Sequence, residues 1–274
     1  MKPKILVLSG GGMKGIAILG ALSILDKYNI LENINIYAGT SAGAIICSFL
    51  VCGYKPDELF NKILDKKSKH FAKINIINFV KQVALNNGQD IQKLFIKLLQ
   101  EKNIDIHITL RELYTRTKKL LILTTTCINT KKCVYLSHLD FPDLKLIEAM
   151  RMTSAFPLFF SPIIYKNKLY CDGGCTNAYP ANIFKKYKND IIGIHLVPES
   201  NTVYEINTIE DYILNVFQTI LLQYFYLESR EYENETIEIN TSSIDTLSFN
   251  MNKQTKTKIF NCGVESALNY LSRK

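Results

Sequence analysis

Residues 5–25 read I-L-V-L-S-G-G-G-M-K-G-I-A-I-L-G-A-L-S-I-L, and this stretch decides the fold. Ile5 to Leu8 is an uninterrupted apolar run, as expected of a strand buried on both faces. The glycines of residues 10–15 punctuate the chain. Beyond them Ile16, Leu19, Gly20, Leu22, Ile24 and Leu25 recur at helical spacing. The same order then repeats. Residues 34–38 predict a second strand, G-T-S-A-G at 39–43 a tight turn, and residues 44–51 a helix that is apolar nearly all round. Strand, turn and helix in alternation predict an α/β fold with a parallel sheet.

Working outward, residues 56–100 read as helical, with Leu59, Ile63, Phe79, Val83, Leu94, Leu98 and Leu99 at helical spacing. Residues 120–128 and 133–136 read as strands. Residues 146–152 form a short helix that stops before Pro157. A strand at 169–171 leads into Asp172-Gly-Gly, and 191–197 is one more buried strand. A long helix is expected over 208–230, and the tail from Lys253 ends in a helix carrying Val264, Leu268 and Leu271. No repeat, low-complexity tract or clear linker divides the chain, so one domain with a helical cap is expected.

Composition narrows the classes. The chain has 274 residues, 47% hydrophobic and 21% charged, enough to bury a core without cross-links. The glycines of 10–15 interrupt the first apolar stretch too early for a signal peptide, and no run of about 18 apolar residues predicts a membrane span. Expected placement is therefore cytoplasmic, with any membrane met at its surface. The seven cysteines, irregularly spaced, are expected as free thiols. Cys171 and Cys175 flank the D-G-G turn without a His or second Cys pair at zinc spacing, so no metal site is expected. A net charge of +8 fits a solvated surface or attraction to anionic lipid. The lysines lack interleaved stacking aromatics, which argues against a nucleic-acid partner.

Three motifs carry chemistry. The first is S-G-G-G-M-K-G at 9–15, a strand-to-helix loop where unpaired amides and the helix dipole can hold a phosphate or an oxyanion. Gly10, Gly12 and Gly15 also fit G-x-G-x-x-G. A dinucleotide site would need a carboxylate at the end of the second strand, where Tyr37-Ala38-Gly39-Thr40 stands instead. The second is G-T-S-A-G, Gly39 to Gly43, a nucleophile elbow that exposes Ser41 at the tip of a sharp bend. Its hydroxyl needs a base. Of the four histidines, His70, His107 and His138 stand at no motif. Ser41, Asp172 and His195 do follow the nucleophile–acid–base order of α/β-hydrolases, although His195 lies inside an apolar strand. The third motif, Asp172-Gly173-Gly174, offers a carboxylate on a glycine turn that can face Ser41.

These elements, in this order, closely resemble the patatin-like phospholipases, which carry a G-G-G-x-[RK]-G loop, a G-x-S-x-G elbow and a later D-G-[AG] turn. Here they stand at 10–15, 39–43 and 172–174; Met152-Thr-Ser-Ala-Phe-Pro157, Asn177 and Pro180 fit the family's continuation. The resemblance implies a three-layer α/β/α sandwich with a mainly parallel central sheet. It also implies a catalytic domain over 4–198, with 199–274 as a helical extension packed on it. It further implies a Ser41–Asp172 dyad that hydrolyses phospholipid or other acyl-ester lipids through an acyl-serine. Gly10, Gly11 and Gly12 are the implied oxyanion donors, with Gly15, Gly39, Gly43, Gly173 and Gly174 shaping the motifs. Lys14 either contacts a substrate phosphate or points to solvent. No cofactor or metal is implied. Acyl transfer to an alcohol, a Ser–His–Asp esterase through His195, and a silent lipid binder stay open as alternatives.

Overall fold

The computed structural model describes residues 3–64, 84–197, 206, 212, 215, 216, 219, 230–241 and 251–274. Among them the strands are β1 (Ile5–Leu8), β2 (Ile36–Thr40), β3 (Ala84–Asn86), β4 (Leu120–Cys127), β5 (Lys132–Leu136), β6 (Leu158–Phe160), β7 (Ile163–Tyr165), β8 (Lys168–Asp172), β9 (Ile191–Val197) and β10 (Thr236–Asn240). The α-helices are α1 (Gly15–Lys27), α2 (Ala42–Val51), α3 (Pro56–Leu64), α4 (Gln89–Glu101), α5 (Leu110–Thr117), α6 (Leu146–Thr153) and α7 (Lys253–Leu271).

Eight strands form the central sheet in the order β10-β9-β1-β2-β4-β8-β7, with β5 also on β4. The five strands from β10 to β4 pair in parallel; β5 and β8 each pair antiparallel with β4, and β7 pairs antiparallel with β8. Successive side chains of a strand point to opposite faces, and β1 shows what each face buries. Leu6 and Leu8 join the large core formed with α1 and α2. Ile5 and Val7 join a smaller core with Tyr179, Phe184, Ile191 and Tyr232, contributed mainly by the 3₁₀ segments Pro180–Asp190 and Arg230–Glu235 and their flanks. The sheet is thus mostly parallel and covered on both faces, the α/β architecture that the motifs implied.

Some local expectations change. Residues 84–88, read within a helical stretch, instead give strand β3 and a turn. Gly88 adopts a left-handed φ of 72° and the helix starts only at Gln89. Residues 65–83, and all but single positions of the helix expected over 208–230, lie outside the described residues. The stretch beyond 198 supplies a strand as well as a helix. T-I-E-I-N at 236–240 alternates in the manner of a half-buried strand and pairs with β9. Helix α7, capped by Asn252 Oδ1 on the Thr255 amide at 2.8 Å, packs along α1. There Gly20 meets the Phe260 carbonyl and Gly263 the Ala17 carbonyl so closely that a methyl group at either would collide.

Candidate active site

Ser41 is the single residue between β2 and α2, with φ 51° and ψ −119°. A non-glycine residue held there stores roughly 1–3 kcal/mol of strain. The close packing of β1, β2 and α2 enforces it. A methyl group on Gly43 would strike the carbonyls of Leu8 and Ser9, and one on Gly39 would strike Gly43 and Ala44, so the helix can leave the strand sharply. Gly15, which opens α1, sits likewise against Ala42. The elbow is held from one more side, where Thr153 at the end of α6 accepts the Ser41 amide on its hydroxyl at 3.0 Å and donates to the Thr124 carbonyl.

Strand β4 brings the carboxylate to this serine. One edge of β4 is occupied by β5 across residues 123–127, so β2 and β8 must share the other edge end to end. Thr40, the last residue of β2, pairs with Thr124; Asp172, the last residue of β8, pairs with Thr125. The two strands approach from opposite directions and stop on adjacent residues. A threonine run fixes the meeting point: Thr125 Oγ1 donates to the Cys171 carbonyl at 2.7 Å and Thr126 Oγ1 to the Asp172 carbonyl at 2.9 Å. The Asp172 amide donates to the Ala155 carbonyl at 3.0 Å. The loop after Asp172 is clasped too, by Thr40 Oγ1 on the Asn177 carbonyl at 2.9 Å.

Ser41 Oγ donates to Asp172 Oδ2 at 2.6 Å, and Asp172 Oδ1 accepts the Gly174 amide at 2.8 Å. Asp172 is only 2% exposed. Burial pushes its carboxyl up to about 6, against the opposing pull of the Ser41 and Gly174 hydrogen bonds. This is a carboxylate in contact with a serine hydroxyl and made more basic by desolvation.

His195 stands elsewhere in the bonding pattern. It lies in β9 with its ring stacked on Tyr179, 4.9 Å between centroids, and its buried Nδ1 meets no hydrogen-bond partner among the described residues. Burial holds its pKa down at about 4. Among the described residues no histidine bonds Ser41 or Asp172. His138 stacks on Tyr114, His107 is exposed, and His70 lies outside the described residues.

The glycine loop lies beside the elbow. A Cβ built on Gly10 would be in ordinary contact with Ser41 Cβ, at 3.6 Å. The Gly10 amide, one of the three expected oxyanion donors, donates to the Ala178 carbonyl at 2.9 Å. The amides of Gly11 and Gly12 donate to no protein acceptor among the described residues. Lys14 is half-buried at the amino end of α1. Gly173 lies against the Thr124 carbonyl, where a side chain would not fit. No group of three or more His, Cys, Asp or Glu able to hold a metal occurs among the described residues.

Sequence reasoning missed the supporting threonines. Thr124, Thr125 and Thr126 were read only as strand, and Thr153 only as part of a small-residue helix end. Three consecutive hydroxyls on a buried strand were the available signal, because each buried hydroxyl needs a partner.

A strained serine on a strand–helix bend, in contact with a buried carboxylate and beside glycine amides that meet no acceptor among the described residues, is an arrangement suited to hydrolysis of acyl esters. The chain belongs to the patatin-like phospholipase family, whose model matches residues 6–185. It is 34% identical over 197 residues to "Probable lipid hydrolase 463L" of Invertebrate iridescent virus 6, a match covering 69% of this chain and 67% of its relative. It is 28% identical over 276 residues to protein R571 of Acanthamoeba polyphaga mimivirus, covering 96% and 92% of the two chains. The crystal structure of VipD from Legionella pneumophila shares the fold, with a TM-score of 0.64 at 16% identity over 100% of this chain and 67% of that one. The protein is a lipid-hydrolysing enzyme of the carboxylic ester class. No helix among the described residues is long and apolar enough to cross a membrane.

Proposed function

We propose that the chain is a phospholipase A-type acyl hydrolase working through a Ser41–Asp172 dyad. The observation that carries this reading is the 2.6 Å hydrogen bond from Ser41 Oγ to Asp172 Oδ2. Ser41 Oγ attacks the acyl carbonyl while its proton passes to Asp172. The carbonyl oxygen becomes an oxyanion, received by the Gly11 and Gly12 amides; such donors contribute about 3–4 kcal/mol each in other enzymes. Collapse of this intermediate expels the glycerol oxygen, which takes the proton from Asp172. Water then attacks the acyl-serine, giving its proton to Asp172, and the fatty acid leaves as that proton returns to Ser41 Oγ.

A carboxylate of reference pKa ~3.9 is a weak base for a hydroxyl. Its burial here, which moves the pKa to about 6, narrows that gap. Every group in the scheme lies within residues 11–172, while β10 completes the sheet edge and α7 covers α1. No step calls for a metal or a cofactor.

The test is product analysis. Purified protein incubated with mixed phospholipids is expected to release fatty acid and lysophospholipid, identified by mass spectrometry. Ser41→Ala and Asp172→Asn, each folded, are expected to release neither. Normal turnover by either variant would end the assignment, and transfer of the acyl group to an added alcohol in preference to water would recast the enzyme as a transferase.

A further inference from the structure

Two hairpin turns project from the catalytic end of the sheet, and we infer that they seat the enzyme on an anionic lipid bilayer. The inference rests on the lipid-hydrolase reading above and names the surface that delivers the substrate. Strand β4 runs on past Thr124 through Thr125, Thr126 and Cys127, about 10 Å beyond the level of the elbow at ~3.3 Å per residue. It then turns through residues 128–131 into β5. The β7–β8 turn at Lys166 and Asn167 reaches the same end from the other direction.

The two turns are fastened together. The Ile128 amide donates to the Leu169 carbonyl at 2.9 Å, and the Leu169 amide donates to Asn129 Oδ1 at 2.7 Å. Leu169 is in turn the register partner of Ile164. Ile128 is 47% exposed and Ile164 74%, large apolar side chains that the fold leaves in water. Around them stand four exposed lysines, Lys131, Lys132, Lys166 and Lys168, none in a salt bridge among the described residues. No Asp or Glu occurs anywhere in residues 113–139 or 149–171, so neither turn has a carboxylate beside it; the one carboxylate of β8, Asp172, lies at the strand's far end.

Charge and apolarity together select the occupant. Unneutralised ammonium groups are drawn to anionic headgroups, and exposed isoleucines gain by entering the apolar boundary beneath. Position selects it too. Lys168 and Asp172 lie four strand residues apart, roughly 13 Å. A bilayer resting on the turns therefore faces the end of the sheet at which Ser41 stands.

The experiment is vesicle cosedimentation with Ser41→Ala protein, so that the lipid stays intact. Vesicles of phosphatidylcholine are compared with vesicles containing phosphatidylglycerol, at low and high salt. Anionic vesicles are expected to bind at least about tenfold better, with the difference shrinking in salt. Lys131→Glu/Lys166→Glu is expected to lower that binding about tenfold or more, and Ile128→Ser/Ile164→Ser to lower it in both salts. Lys27→Glu/Lys186→Glu, the same charge change on exposed lysines at the other end of the sheet, is expected to change it less than about twofold. In protein that retains Ser41, the turn variants keep full turnover of a soluble nitrophenyl ester and lose vesicle hydrolysis in proportion to binding. Equal binding to both vesicle types, or equal effects of the turn and control pairs, overturns the inference. Loss of soluble-ester turnover in the unsubstituted protein would count against the proposed activity instead and leave the binding readout standing.

Discussion

Thr153 and Ser41, 112 residues apart in the chain, meet through one hydrogen bond: the serine amide donates to the threonine hydroxyl at 3.0 Å. The same hydroxyl donates to the carbonyl of Thr124, the β4 residue opposite the end of β2. One side chain therefore ties the strained elbow to β4, the strand against which β8 sets Asp172. In the proposed dyad it touches no reacting atom and serves as a positioning residue.

Its replacement gives a first prediction. Thr153→Val keeps the shape but leaves the Ser41 amide without its partner, a cost of about 1–3 kcal/mol. A fall of about tenfold or more in kcat with little change in KM is expected, and Thr153→Ser should restore most of it. Steady-state kinetics on a soluble ester decide this; an unchanged kcat in Thr153→Val would show that the elbow holds itself.

The strain at Ser41 is testable by calorimetry. Glycine tolerates a φ of 51° without a Cβ penalty. Ser41→Gly is therefore expected to be inactive yet as stable as the parent or more so, by up to about 1 kcal/mol after the entropy of the added glycine is offset. A clear drop in Tm would mean that the turn is not under strain.

Asp172 links activity to pH. In the proposed dyad it is the base and must be ionised, so kcat/KM is expected to rise with pH through about 6 and then level off. The stability effect has the opposite sense. Its folded pKa lies above its unfolded value near ~3.9, so the native state holds the proton more tightly between those values. Stability from this group is full below about 4 and lost as pH rises through 6, amounting to roughly 3 kcal/mol by pH 8. Asp172→Asn is thus expected to be inactive and to have a higher Tm than the parent at pH 8. Equal Tm values there would contradict the burial argument.

His195 gives the complementary test. Its folded pKa of about 4 lies below the unfolded ~6.5, so the unfolded chain binds the extra proton in that window and stability falls as pH drops from 6.5 to 4. His195→Gln is expected to keep turnover within about twofold and to flatten this acid loss. Inactivation as complete as that of Ser41→Ala, in a folded protein, would restore the triad.

Gly43 tests the packing beneath the elbow. Gly43→Ala places a methyl group against the carbonyls of Leu8 and Ser9. Overpacking of this kind costs about 1–3 kcal/mol. The expected result is a Tm lowered by several degrees together with reduced activity, measured by thermal melts and ester turnover.

The local signals were legible in the chain itself. Ile5–Leu8, the glycines of 10–15, G-T-S-A-G and D-G-G each announce a strand or turn locally, since glycine opens backbone conformations that other residues avoid and a short apolar run marks a strand buried on both faces. Strand β10 was legible too, in the alternation of T-I-E-I-N, but it carried no motif and was passed over. What no periodicity encodes is which edges meet. Ser41 and Asp172 are 131 residues apart. Only the sharing of one β4 edge by β2 and β8, with β5 on the other, places them in contact. The same holds for the engaged Gly10 amide, the stacked His195 and the Thr153 bridge. Each depends on a long-range backbone pairing, and pairing partners are chosen by the packed sheet as a whole rather than by any residue's neighbours in sequence.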